Sequence, residues 1–114
     1  MTQVDIDKLK TLKPATGTYL LHIDSAELRP GFIKGTYFLI VKGTKPWVTM
    51  AVSFSRHIYI RQPEYWGIEV VGMQDGIGLP QTAPFVHAED VTGSVGTKGV
   101  EVIGSNQTIR VDLP

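Results

Sequence analysis

The stretch Trp47–Arg61, WVTMAVSFSRHIYIR, decides the fold. Its even positions carry Val48, Met50, Val52, Phe54, Ile58 and Ile60, interrupted only by Arg56. Its odd positions carry Trp47, Thr49, Ala51, Ser53, Ser55, His57, Tyr59 and Arg61. A period of two sustained this long is extended chain with two unlike faces. The run exceeds the roughly three to ten residues of an ordinary strand, so it is expected to bend between sheets or around a barrel corner. A straight strand would aim Arg56 into the core, at a cost of several kcal/mol without a partner. A bend or bulge at Ser55–Arg56, turning that guanidinium to the sheet edge, is the expectation.

Working backward, Gly43–Pro46 is a turn signal. Closing it with Lys42 beside Trp47 sets Val41 against Val48, Leu39 against Met50 and Tyr37 against Val52, which brings apolar residues onto one face. Working forward, Gln62-Pro63-Glu64 turns the chain into YWGIEVVG, Tyr65–Gly72. Pairing Arg61 with Tyr65 places Ile60 opposite Trp66 and Ile58 opposite Ile68. On the outer face it places Tyr59 over Gly67, an aromatic ring filling a cross-strand gap. His57 then stands opposite Glu69, a favourable cross-strand pair.

The flanks extend the pattern. Thr2 and Asp5 have capping-box spacing, and Val4, Leu9 and Leu12 share a helical face ahead of Pro14, predicting a short helix over about Gln3–Lys13. GTYLLHID and GTYFLIVK read as two strands of a hairpin joined by a long connection containing Pro30-Gly31. Met73–Gly99 is rich in Gly and Pro; strands are expected at Pro84–His87 and near Ser94. Val100 and Val102 face Val111 and Ile109 across a tip at Ser105-Asn106, with Glu101 beside Arg110. Residues 1–114 thus read as a single all-β domain, an antiparallel sandwich or partly open barrel of about seven or eight strands with a short N-terminal helix.

Composition limits function. Eleven Lys plus Arg balance eleven Asp plus Glu, which argues against broad attraction to nucleic acid or an anionic membrane. There is no cysteine, which removes disulfides and thiolate chemistry and fits a cytoplasmic setting. The start, MTQVDIDKLK, lacks the apolar stretch of a signal peptide, and no run approaches the ~20 residues of a membrane helix.

Chemistry is sparse. His57 and Glu69 could pair a base with a carboxylate, but no nucleophile sits at a recognisable spacing. His87, Glu89 and Asp90 are donors crowded into one loop without a second ligand pair, so no metal or cofactor is expected. Phosphate-loop, zinc, EF-hand and HExxH patterns are absent. What stands out is the outer face, where Trp47, His57, Tyr59, Arg61, Tyr65 and Glu69 fall together. Trp, Tyr and Arg are the residues enriched in interface hot spots. The expected function is therefore a non-enzymatic binding or interaction module, self-associating as a homo-oligomer through this face. The alternatives, in order, are a small-molecule or carbohydrate-binding barrel, single-stranded nucleic-acid binding, and a small hydrolase. Nucleic acid is disfavoured because Arg56 lies on the opposite face from Tyr59.

Overall fold

The computed structural model describes residues 17–76 and 81–114. Eight strands run β1 Gly17–Leu20, β2 His22–Pro30, β3 Tyr37–Lys45, β4 Ala51–Arg56, β5 Tyr65–Gln74, β6 Ala83–Asp90, β7 Gly99–Ile103 and β8 Thr108–Asp112. The helix expected over Gln3–Lys13 lies outside the described residues. The smaller sheet is ordered β2-β3-β6, and the larger holds β1, β4, β5, β7 and β8 around β5. Strand β4 lines one edge of β5 over residues 68–73, while β7 covers 65–69 and β1 covers 71–74. Both β7 and β1 overlap β4 in residues of β5, so they share its other edge, end to end.

The two sheets pack face to face, and the period of two explains why. In β3, Leu39 and Val41 are fully buried; in β5, so are Ile68 and Val70; in β7, Val100 and Val102. Ile23, Leu28 and Phe85 complete the smaller sheet's inner face, and Met50 and Phe54 join from the β4 side. Each fully buried Val, Leu or Ile contributes about 1.5–3 kcal/mol relative to exposure.

Several expectations change. The stretch Trp47–Arg61 is not one strand, since only Ala51–Arg56 is extended. Residues 46–49 form a turn closed by the Met50 amide on the Trp47 carbonyl at 3.0 Å. That turn carries the chain from one sheet to the other. Strand β3 therefore pairs with β2 and β6, not with β4. Both strands present the expected apolar residues to the core, but from opposite sides of it.

The β4–β5 hairpin forms with its register two residues from the one expected: Arg56 lies opposite Ile68 and Phe54 opposite Val70. A two-residue slip preserves every side chain's face, which is why the alternation could not detect it. The chain also changes sheets at the buried Leu21, splitting the expected first strand into β1 and β2. Strand β2 runs on to Pro30, so the β2–β3 connection is short. The strand expected near His87 spans Ala83–Asp90, whereas residues 91–98 are turns. The β7–β8 hairpin forms as expected, with Val100 opposite Val111, Glu101 opposite Arg110 and Val102 opposite Ile109. The larger sheet is mixed, because β5 and β7 run parallel.

Side chains close both seams between the sheets. At one, Asn106 Oδ1 accepts the Ile23 N–H at 2.8 Å, and Asn106 Nδ2 and Gln107 Nε2 each donate to the Ile23 carbonyl at 2.9 Å. At the other, the Phe54 N–H of β4 donates to Glu89 Oε2 of β6 at 3.1 Å. Among the described residues no backbone ladder joins the sheets, so the architecture is a sandwich with its long edges capped.

Candidate functional site

The six residues singled out on the outer face separate into three groups. His57, Tyr59 and Glu69 stay together. The His57 amide donates to the Gly67 carbonyl at 2.9 Å, continuing the β4–β5 register one residue past β4. Its ring Nε2 then reaches diagonally to Glu69 Oε2 at 3.4 Å. Tyr59 covers Gly67 as expected, its hydroxyl accepting the Gly67 N–H at 3.0 Å. Gly67 has no room for more: a Cβ there would lie 2.4 Å from His57 Nδ1 and 2.9 Å from the Tyr59 hydroxyl. The Tyr59 ring meets Trp66 edge-on at 5.0 Å, and Trp66 Nε1 donates to the His57 carbonyl at 2.9 Å.

Tyr65 belongs to a second group, toward β8. Its hydroxyl donates to Asp112 Oδ1 at 2.6 Å, and the Arg110 guanidinium sits 4.8 Å from its ring centroid. That hydrogen bond to Asp112, with its negative charge nearby, raises the phenol above its ordinary range. Arg110 also approaches Glu101 at 3.4 Å, and Lys98 pairs with Glu64 at 2.5 Å. Trp47 and Arg61 stand apart. Trp47 is half-buried on the turn before β4, against the core and 5.4 Å from the Tyr19 ring. Arg61 is exposed and has no acidic partner among the described residues. The outer face is thus occupied by its own cross-strand pairs.

The seam between β4 and β6 holds a polar cluster. His87 and Glu89 alternate with Val86 and Ala88 and point inward with Phe85, while Asp90 points outward. Glu89 Oε2 meets His87 Nε2 at 2.7 Å and Glu89 Oε1 meets Arg56 at 3.3 Å. Arg56 also donates to the Asp90 carbonyl at 2.9 Å. The guanidinium does leave the core, but β4 simply ends there without a bulge. Partial burial would raise the Glu89 carboxyl; hydrogen bonds from His87 and the Phe54 amide, with the charges of His87 and Arg56, outweigh it and hold it below its usual range. Among the described residues, no group of three or more His, Cys, Asp or Glu is arranged to hold a metal ion.

The most conspicuous surface lies elsewhere. Phe32 and Ile33 are 110% and 73% exposed, and Ile58 and Ile60 are 96% and 103% exposed. The two pairs share one end of the sandwich. The Tyr37 amide at the base of the β2–β3 tip donates to Thr92 Oγ1. In the same 91–98 segment, the Val95 carbonyl accepts from Gln62 Nε2 and the Thr97 amide donates to the Pro63 carbonyl. The tip itself is tightly built: the Gly31 amide donates to the Thr36 carbonyl and the Thr36 amide to the Ile33 carbonyl, with Gly35 at φ +86°. Such a φ suits glycine alone without strain.

Ile58 and Ile60 were expected in the core opposite Ile68 and Trp66. The Tyr59 anchor on Gly67 and Trp66 accompanies their position: Tyr59 is the residue of this segment seated against β5, and its neighbours on both sides are exposed. The apolar pair in the Pro30-Gly31 turn was visible in sequence as Phe32-Ile33 in a loop; nothing in sequence distinguished Ile58 and Ile60 from core. At the opposite end, Leu20, His22, Thr44, Lys45, Pro46 and Ser105 line an open groove of about 440 Å³.

Comparison with protein-family models, curated proteins and solved structures returned no match. Among the described residues, no helix is long and apolar enough to cross a membrane.

Proposed function

We propose that this chain is a non-enzymatic interaction module whose contact surface is the loop end carrying Phe32, Ile33, Ile58 and Ile60. The observation behind it is the near-complete exposure of four large apolar side chains on two anchored loops at one end. Scattered apolar residues need no explanation, but grouped ones are typical of contact surfaces. The loops hold their shape without a partner, which lowers the entropy lost on binding. The outer sheet face expected from sequence is the weaker surface, because its aromatic and charged groups are spent on one another. The homo-oligomeric form and cytoplasmic setting expected from the sequence belong to this same proposal.

The test compares wild type with Ile58→Ser/Ile60→Ser and Phe32→Ser/Ile33→Ser on a phenyl-derivatised surface and in sedimentation velocity. Retention, and any concentration-dependent association, should fall in both variants. Retention unchanged in both variants rules out the loop end as the contact surface.

One observation favours a second reading, a small-molecule site: the groove at the other end falls within the ~300–1,000 Å³ range of ligand pockets. Pro46 lines it and Trp47 is the next residue in the chain, so Trp47 fluorescence should report filling in a metabolite screen. Single-strand binding has no such support, since Lys45 is committed to the Met50 carbonyl and Arg56 to Glu89 at opposite ends.

A further inference from the structure

The groove opposite the loop end lies where the chain changes sheets. Its apolar lining is Leu20, Leu21 and Pro46, and Leu21, at the crossover itself, is buried. Ser105 reaches it from the β7–β8 tip, Thr82 from just before β6, and Thr44 and Lys45 from the end of β3. Two hydrogen bonds fix these parts. The Ser105 amide donates to the Leu21 carbonyl at 2.8 Å, and Lys45 Nζ donates to the Met50 carbonyl at 2.8 Å.

The polar lining is one-sided. It offers the Lys45 ammonium, the His22 ring and the hydroxyls of Thr44, Thr82 and Ser105, and it includes no carboxylate. The three hydroxyls have no partner among the described residues. Lys45 is half-buried, and no acid pairs with it among the described residues. The Met50 carbonyl holds the ammonium in place, but it takes one of three N–H donors and none of the charge. Of the acids nearby in the chain, Asp24 is engaged by His22 Nε2 at 3.1 Å. Asp75 lines a separate hollow with Gly17 and Met73.

Resting on the second reading, of the groove as a small-molecule site, we propose that its ligand is a monocarboxylate with an apolar body, the body against Leu20, Leu21 and Pro46 and the carboxylate on Lys45 and the hydroxyls. Filling the groove takes water from Lys45, and a neutral ligand leaves that charge without its solvation. A carboxylate restores it through charge-assisted hydrogen bonds. An amine meets a like charge and finds no carboxylate in the lining. A second negative charge on the ligand finds no second lysine or arginine there, which favours a monoanion over a phosphate dianion.

Titration of the full chain with 3-phenylpropionate, 3-phenylpropanamide and 3-phenylpropylamine, followed by amide chemical shifts, tests the proposal. The acid should shift Leu21, Thr44, Lys45 and Ser105 and bind at least about fivefold more tightly than the amide. The amine should bind more weakly still. Lys45→Gln keeps an N–H donor and removes the charge, so acid and amide should then bind within about twofold of each other. Leu20→Ser should weaken both alike, by about threefold or more. Lys34→Gln, which removes a cation from the β2–β3 tip, should change neither. The acid preference should also shrink as salt is raised, a check on wild type that does not depend on any variant folding. Groove shifts with the amide or the amine binding as tightly as the acid, or an acid preference that survives both Lys45→Gln and salt, overturn the carboxylate assignment and leave the small-molecule reading standing. Groove amides unmoved by all three compounds overturn both.

Discussion

Glu89 joins the two sheets through one carboxylate. It accepts the Phe54 N–H at an otherwise open edge of β4 and holds Arg56 and His87. Its carboxyl is held below the usual value of 4.5, so its contribution to stability is complete above the unfolded-state value and disappears as pH falls through the lower folded-state value. Glu89→Gln should cost about 1–2 kcal/mol at neutral pH, discounted for the partial exposure of its partners. The gap from wild type should close as pH falls below 4.5, as urea titrations at neutral and acid pH would show; a gap independent of pH contradicts this account. Tyr59→Phe removes the acceptor for the amide of the buried Gly67, at about 1–2 kcal/mol. Amide exchange at Gly67 should accelerate alongside.

At the scale of elements, the seams and close approaches carry the architecture. Asn106→Ala leaves the Ile23 N–H without its acceptor at a buried position. The expected loss is about 1–3 kcal/mol by chemical denaturation, with exchange rising first along β2 and β8. Gly43→Ala should be harsher. Its Cβ would lie 2.1 Å from the His22 carbonyl and 2.8 Å from the Phe85 ring, so backbone must shift, at about 3 kcal/mol or more. Faces were legible in the sequence because alternation alone sets them: Leu39, Val41, Met50, Phe54, Ile68 and Val70 are all buried as expected. Partners were not legible. A strand's alternation says which side is dry, and it is equally satisfied by β4 beside β3 or by β4 across the core from it. The β4–β5 slip escaped for the same reason. The β7–β8 hairpin was readable because its tight turn left one register that paired Val with Val and Ile with Val.

Over the whole molecule, the strands leave one end with exposed Phe and Ile and the other with an open groove. Of the candidate site, His57, Tyr59 and Glu69 around Gly67 were readable as one group from the outer-face alternation, although the register expected to pair them is two residues from the observed one. What was not readable lies in the neighbours: Ile58 and Ile60, on both sides of the anchored Tyr59, are exposed. The central claim is that these four side chains are kept for contact and do little for the fold. Urea denaturation of Phe32→Ser/Ile33→Ser/Ile58→Ser/Ile60→Ser tests it most directly. The account predicts a free energy of unfolding within about 0.5 kcal/mol of wild type, as for other fully exposed positions. A loss of more than about 2 kcal/mol would place these side chains in the packed interior and contradict it.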